Sequence, residues 1–305
     1  MIPSDIDLDA LLKRLHLPNM RRIHSSLAQK AEAESWSYRD FLAILVAEEV
    51  SHRHQTRIQR YTRRAQFPFL KTIDEFDFTY QSSLRLSLLG SYLGPELVTE
   101  GRCAIFQGKP GRGKTHLAIA IAYRAIQNGF EAHFVTAAEL IDALSRATRQ
   151  GRFQEVLERY LHPHVLVIDE VGYLSYGPDA ANVLFHVVNA RHLKRRSMIF
   201  TTNKHHDDWG QVLHDSDLAA AIVDRVLERG RYIKLDGPSI RTKHLQSDDK
   251  IHATLTSAKD SGKSRPENSE PTPLRAGLVQ GLARLLRYRR MSCISGVEGE
   301  KDVVS

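Results

Sequence analysis

Eight consecutive residues, Gly108-Lys109-Pro110-Gly111-Arg112-Gly113-Lys114-Thr115, set three glycines, a lysine and a hydroxyl in the spacing G-x-x-x-x-G-K-T. That spacing suits phosphate. Glycines at 108, 111 and 113 let backbone N–H groups approach a ligand where a Cβ would collide. Lys114 brings a mobile cation to the β/γ-phosphates, and Thr115 offers a hydroxyl to Mg²⁺. The motif has force only between a strand and a helix. The apolar run Ala104–Phe106 precedes it and a helical pattern from His116 to Tyr123 follows it, so the helix N-terminus adds partial positive charge at the phosphate. Outside such a setting the same glycines would be an ordinary turn.

Three further groups can complete a nucleotide site. Val165-Leu166-Val167-Ile168-Asp169-Glu170 is a buried-strand pattern that delivers two acids at its C-terminal end, the sheet edge where ligands bind. Asp169 suits a Mg²⁺ ligand and Glu170 a general base for an attacking water, a pairing that favours hydrolysis over transfer to a bound acceptor. Asn203 ends the strand pattern Ile199–Thr202, where it can sense the γ-phosphate or position the water, or simply form a turn. Arg225, on a helix over residues 218–229, can reach a neighbouring subunit's γ-phosphate as an arginine finger, or pair within its helix with Asp224 or Glu228. Arg241 is a weaker second candidate.

Positioning these groups requires a parallel sheet with helices on both faces. Apolar runs at 104–106, 132–135, 165–168 and 198–201 alternate with amphipathic helices through Leu140 and Leu144 and over Val183–Leu193, and a short strand follows at Tyr232–Lys234. That is the α/β pattern. Ahead of it, residues 1 to about 70 give three short helical patterns. One carries Leu8, Leu11, Leu12 and Leu15, the next Ile23, Leu27 and Ala31, and the third opens at Ser37 and Asp40 with capping-box spacing. In the third, Arg53, Arg57, Arg60 and Arg64 share one face with few acids to pair with, since Glu48 and Glu49 lie a turn earlier. The stripe suits contact with nucleic-acid phosphates, or it is a solvated charged face. Pro68 breaks the helical pattern, and the segment to Tyr80 reads as a linker docked on the next domain.

Composition sets the outer limits. A chain of 305 residues exceeds one core of roughly 150 to 200 residues, so two folded parts are expected. A net charge of +7 favours an acidic partner, nucleic acid first. Cys103 and Cys293 form neither a disulfide framework nor a metal pair, and the sequence offers neither a signal peptide nor a membrane-spanning run, so a soluble cytoplasmic protein is expected. Beyond about Leu245, Ser, Asp, Lys, Pro and Thr dominate, which predicts a disordered tail over 246–305.

Together the P-loop, Val167-Ile168-Asp169-Glu170-Val171-Gly172-Tyr173, Thr202-Asn203-Lys204 with Trp209-Gly210, and Ala221-Ile222-Val223-Asp224-Arg225 resemble the IstB-like transposition helper ATPases. The likeness covers roughly residues 8–245. It implies an AAA+ ATPase related to the helicase loader DnaC and the initiator DnaA, with a helical DNA-binding domain at 1–75 and an ATPase domain at 80–245. It implies further that ATP and Mg²⁺ are held by residues 108–115 with His116, that Asp169 binds the metal, Glu170 activates the water and Asn203 senses. Arg225 would serve the next subunit of a homo-oligomer assembled on double-stranded DNA, with an IstA-like transposase as partner. Ile240 stands where the family more often has Tyr before Arg241. A replicative helicase loader, or a scaffold that uses ATP without hydrolysing it, would share much of this pattern.

Overall fold

The computed structural model describes residues 7–81, 84–173 and 176–239. Arg241, Cys293 and the expected tail over 246–305 lie outside them. The chain opens with helices α1 (Leu8–Arg14), α2 (Pro18–Ala33) and α3 (Tyr38–Arg64). A 3-10 turn at Phe78–Tyr80 leads to α4 (Leu86–Leu93) and α5 (Glu96–Thr99). Then follow β1 (Cys103–Gln107), α6 (Lys114–Gln127), β2 (Ala132–Thr136), α7 (Ala137–Arg149), α8 (Phe153–Leu161) and β3 (Val165–Val171). The remainder is α9 (Ala180–Leu193), β4 (Ser197–Thr202), α10 (Trp209–Leu213), α11 (Ser216–Glu228) and β5 (Gly230–Lys234). Among the described residues no helix is long and apolar enough to cross a membrane.

The five strands form one parallel sheet in the order β2-β3-β4-β1-β5, with helices on both faces. The inner strands β1 and β3 are largely apolar on both sides because both are covered, whereas the edge strand β5 is only partly buried. Cys103, Ile105, Leu166, Ile168, Met198 and Phe200 face one buried cluster with residues of α7, α8, α9 and α11. Their neighbours Ala104, Phe106, Val165, Val167 and Ile199 face a second cluster built on α6, α4 and the 65–84 segment. The alternation is the period of two of a strand. Ile73 and Phe76 are buried in that second cluster, so the linker docks as the sequence suggests.

Of the three helices expected to be short, α3 is not. Its 27 residues span about 40 Å, enough to belong to two cores. Leu45 packs with Leu12 and Met20 in a small helical cluster, whereas Ile58, Tyr61 and Ala65 join the cluster on α6. The Ala65 carbonyl accepts the Phe134 N–H at 2.8 Å, so the end of α3 satisfies part of the free edge of β2.

Glu49 explains the start of α2. Leu17 at the N-cap offers no capping side chain, and the first-turn N–H groups of Asn19 and Met20 donate instead to Glu49 Oε2 at 3.0 and 2.9 Å. Arg53 donates to the other oxygen at 2.8 Å. Burial by itself would raise the Glu49 carboxyl, but these donors outweigh it and hold the group below its usual range. Glu49→Ala leaves two buried donors unsatisfied, so a loss of about 1–3 kcal/mol is expected, read in urea melts and in faster amide exchange confined to α1–α3. Arg53→Ala should cost less, since that side chain is half exposed.

Candidate nucleotide site

The P-loop runs from the end of β1 into α6. Gly111 and Gly113 adopt φ of +79° and +84°, a left-handed conformation that folds the loop into a concave nest of N–H groups. Close packing behind the loop also requires glycine: a Cβ on Gly108 would lie 2.6 Å from the Leu235 carbonyl oxygen, and one on Gly111 2.2 Å from Ser239 Oγ. Gly113 is the N-cap of α6 and no side chain caps it, which leaves the positive helix end open to an anion. A cavity of about 270 Å³ lies here, lined by Gly111, Gly113, Lys114, Thr115, Glu170 and Tyr173 among others.

Lys114 Nζ donates to the Lys109 carbonyl and to Tyr173 Oη, both at 3.1 Å. Arg112 of the loop and His116 of α6 bond neighbouring segments. Arg112 donates to the Leu235 carbonyl at 2.8 Å and sits 3.6 Å from Asp236. His116 bonds the Thr72 carbonyl at 2.9 Å and meets the Phe76 ring edge-on, and burial lowers its pKa, so the ring ties the loop helix to the docked linker.

The order of the sheet decides what faces Lys114. Thr115 Oγ1 lies 3.0 and 3.1 Å from the two oxygens of Asp169, which is buried at the end of β3. Thr201 of the adjacent β4 donates a short hydrogen bond to the same carboxylate. Burial pushes the Asp169 carboxyl up, and the Thr201 and Thr115 hydroxyls and Lys114 oppose that. A hydroxyl and a carboxylate this close are hard oxygen donors suited to Mg²⁺. Glu170 has φ +61°, unusual for a side chain of its size, and coincides with a register shift between β3 and β4. Its N–H donates to Thr201 Oγ1 at 3.0 Å. The exposed Glu170 lines both the P-loop cavity and a larger cleft of about 630 Å³ with Thr115 and Asp169.

Asn203 follows β4, which lies between β1 and β3, and the Gly108 N–H donates to the neighbouring Thr202 carbonyl at 3.1 Å. The Asn203 Oδ1 is buried without a hydrogen-bond partner among the described residues. Arg225 makes neither of the intrahelical pairs considered from sequence. Its Nε donates to Asn189 Oδ1 at 3.0 Å, its Nη1 to the Ala221 carbonyl at 3.1 Å, and its guanidinium lies 4.7 Å from the centre of the Phe185 ring. Glu228 pairs with His192 instead.

The stripe on α3 needs correction, because it does not lack acidic partners. Arg53 is held by Glu49 and by the His16 carbonyl, and Arg64 lies 3.8 Å from Glu131. Glu49 lies one turn before Arg53 on the same helix, whereas the distance of Glu131 from Arg64 in sequence hid the second pairing. Arg57 and Arg60 remain exposed and line a surface cleft with His16, His52 and His54.

The family model described as IstB-like ATP binding protein matches residues 10–248. The chain belongs to that family. It is 38% identical over 237 residues to a protein of Geobacillus stearothermophilus named for ATP binding and for the insertion sequence IS5376, covering 77% of this chain and 94% of the other. It is 33% identical over 237 residues to one of Pseudomonas aeruginosa named for ATP binding and for IS21, covering 78% and 89%. Among solved structures, the DnaC helicase loader is similar with a TM-score of 0.45 at 21% identity over 58% of this chain and 99% of that one. AMPPCP-bound DnaA from Aquifex aeolicus gives 0.46 at 20% identity over 72% and 69%.

Two residues of this IstB-like site escaped sequence reasoning. Thr201 bridges Asp169 and the Glu170 backbone, and Tyr173 meets Lys114. The pair Thr201-Thr202 at a strand end was the available signal for the first. Tyr173 closed a family-like motif but had no role assigned, because only the turn after β3 brings it back to the loop.

Proposed function

We propose that this IstB-like protein hydrolyses ATP to ADP and phosphate, and that it assembles as a homo-oligomer on double-stranded DNA to recruit or activate an IstA-like transposase. The observation that carries the reading is the contact of Thr115 with Asp169 beside Glu170, at the mouth of the P-loop. Thr115 and Asp169 would hold Mg²⁺, which when bound neutralises charge on the β- and γ-phosphates. Lys114 leaves the Tyr173 hydroxyl and the Lys109 carbonyl to bind the phosphates. Glu170 takes the proton of the attacking water, and Asn203 Oδ1 accepts a hydrogen bond that orients it. Arg225 stabilises the transition-state charge at the neighbouring subunit's site. The relatives' insertion-sequence names support the transposition setting.

Duplex binding is assigned chiefly to Arg57 and Arg60, the two members of the stripe without a carboxylate at hand. Each neutralised phosphate contributes about −0.9 to the slope of log K against log salt. Arg57→Ala/Arg60→Ala should therefore flatten the slope by up to about two units per subunit, by similar factors for unrelated duplexes, with the helices still folded. A salt titration of duplex binding with ATP present tests this, with wild type alongside. Unchanged slope and affinity would return the stripe to a solvated surface.

A further inference from the structure

Past Asn203 the chain turns through Lys204-His205-His206-Asp207-Asp208 into α10. His205 Nδ1 lies 3.0 Å from Asp207 Oδ2 and His206 Nδ1 2.8 Å from Asp207 Oδ1, so one carboxylate serves both rings. The ring centroids are 4.1 Å apart. Both rings meet Tyr232 of β5 edge-on, at 5.7 and 5.1 Å. The turn is closed by the Asp208 N–H on the His205 carbonyl at 3.0 Å, which fixes three potential ligands on successive residues.

We propose that His205, His206 and Asp207 form a binding site for a borderline transition-metal cation of the Zn²⁺ class. Each residue offers a donor atom, and the three lie within 4.8 Å of one another. A four-coordinate ion with ligands at about 2.0–2.1 Å places its donors about 3.3–3.5 Å apart, so small ring movements seat it. Two imidazoles and a carboxylate favour zinc, cobalt or nickel over Mg²⁺, which separates this site from the oxygen donors Thr115 and Asp169. Charge points the same way. Asp208 adds a second carboxylate next to the cluster in sequence, and the Tyr232 hydroxyl is buried with no hydrogen-bond partner among the described residues. His205 and Asp207 are exposed and His206 is half buried, which gives the ion access and leaves a coordination position for water. A cation here stiffens the turn that links the Asn203 strand to α10.

The test is a Co²⁺ titration of the full-length protein, free of any purification tag and in excess Mg²⁺, followed by visible absorption. One equivalent should produce a nitrogen-ligand Co²⁺ band that Zn²⁺ displaces. His205→Ala/His206→Ala should abolish the band and weaken binding at least about tenfold, and Asp207→Asn should weaken it as well. Circular dichroism checks the fold, and Asp207→Asn, nearly isosteric, decides the matter if the double variant is unstable. Lys114→Ala should retain the band, since the P-loop takes no part. Absence of the band in wild type, or its persistence at full strength in the folded variants, overturns the assignment.

Discussion

Glu170→Gln should bind ATP as the wild type does and turn it over about 10²- to 10⁴-fold more slowly, because the amide keeps the shape of the side chain but cannot take the proton of the attacking water. The local backbone provides a control. Glu170 sits at φ +61°, a conformation that costs a non-glycine residue about 1–2 kcal/mol. Glu170→Gly should therefore fold at least as stably as the wild type and lose turnover just as severely. Activity lost together with stability would mean that the residue serves the fold; activity lost without it separates catalysis from structure. Steady-state phosphate release beside equilibrium binding of a fluorescent ATP analogue reads both. Wild-type turnover by Glu170→Gln would remove the base from the mechanism.

Arg225→Ala is expected to be almost inactive alone, with a loss of about 10³- to 10⁵-fold if the guanidinium acts as a finger on the next subunit. Lys114→Ala should fail for a different reason, by weakening nucleotide binding. Mixing the two inactive proteins should restore measurable hydrolysis, because an interface then exists in which an intact P-loop faces an intact Arg225. Within its own chain Arg225 rests on Asn189, the Ala221 carbonyl and the Phe185 ring, so truncating it also removes packing. Complementation is blind to that loss, since a merely destabilised subunit would gain nothing from its partner. An inactive mixture, with co-assembly demonstrated by cross-linking, would confine Arg225 to the α9–α11 contact.

Much of the core was legible because its signals are local. Strand runs such as Val165–Ile168 are apolar on both faces, the glycines of the P-loop mark a backbone turn, and the acids of Asp169-Glu170 follow directly from the strand that carries them. Boundaries were less legible. The third helix, expected to be short, runs from Tyr38 to Arg64, and α8, with an apolar face of Leu157, Tyr160 and Leu161, went unread between two stronger patterns. Arg191 gave no sequence signal either. It is buried in α9, where its guanidinium serves the carbonyls of Pro163, His164 and Ser197 rather than any acid.

What the sequence determined by itself is which groups this protein offers: a P-loop, two adjacent acids carried by one strand, and the parallel sheet that must hold them. Each depends on residue type and on spacing within one strand or helix, where backbone periodicity alone sets position. Only the tertiary structure decided which distant groups meet. The insertion of β4 between β1 and β3 carries Thr201 to Asp169 and the Thr202 carbonyl to the Gly108 N–H. The return of α3 across the helical cluster carries Glu49 to the start of α2, and the docking of the far end of α3 brings Arg64 to Glu131. The physical reason is the same in each case: a charge or hydrogen-bond donor is satisfied by whatever the fold brings within about 3 Å of it, and sequence separation says little about that.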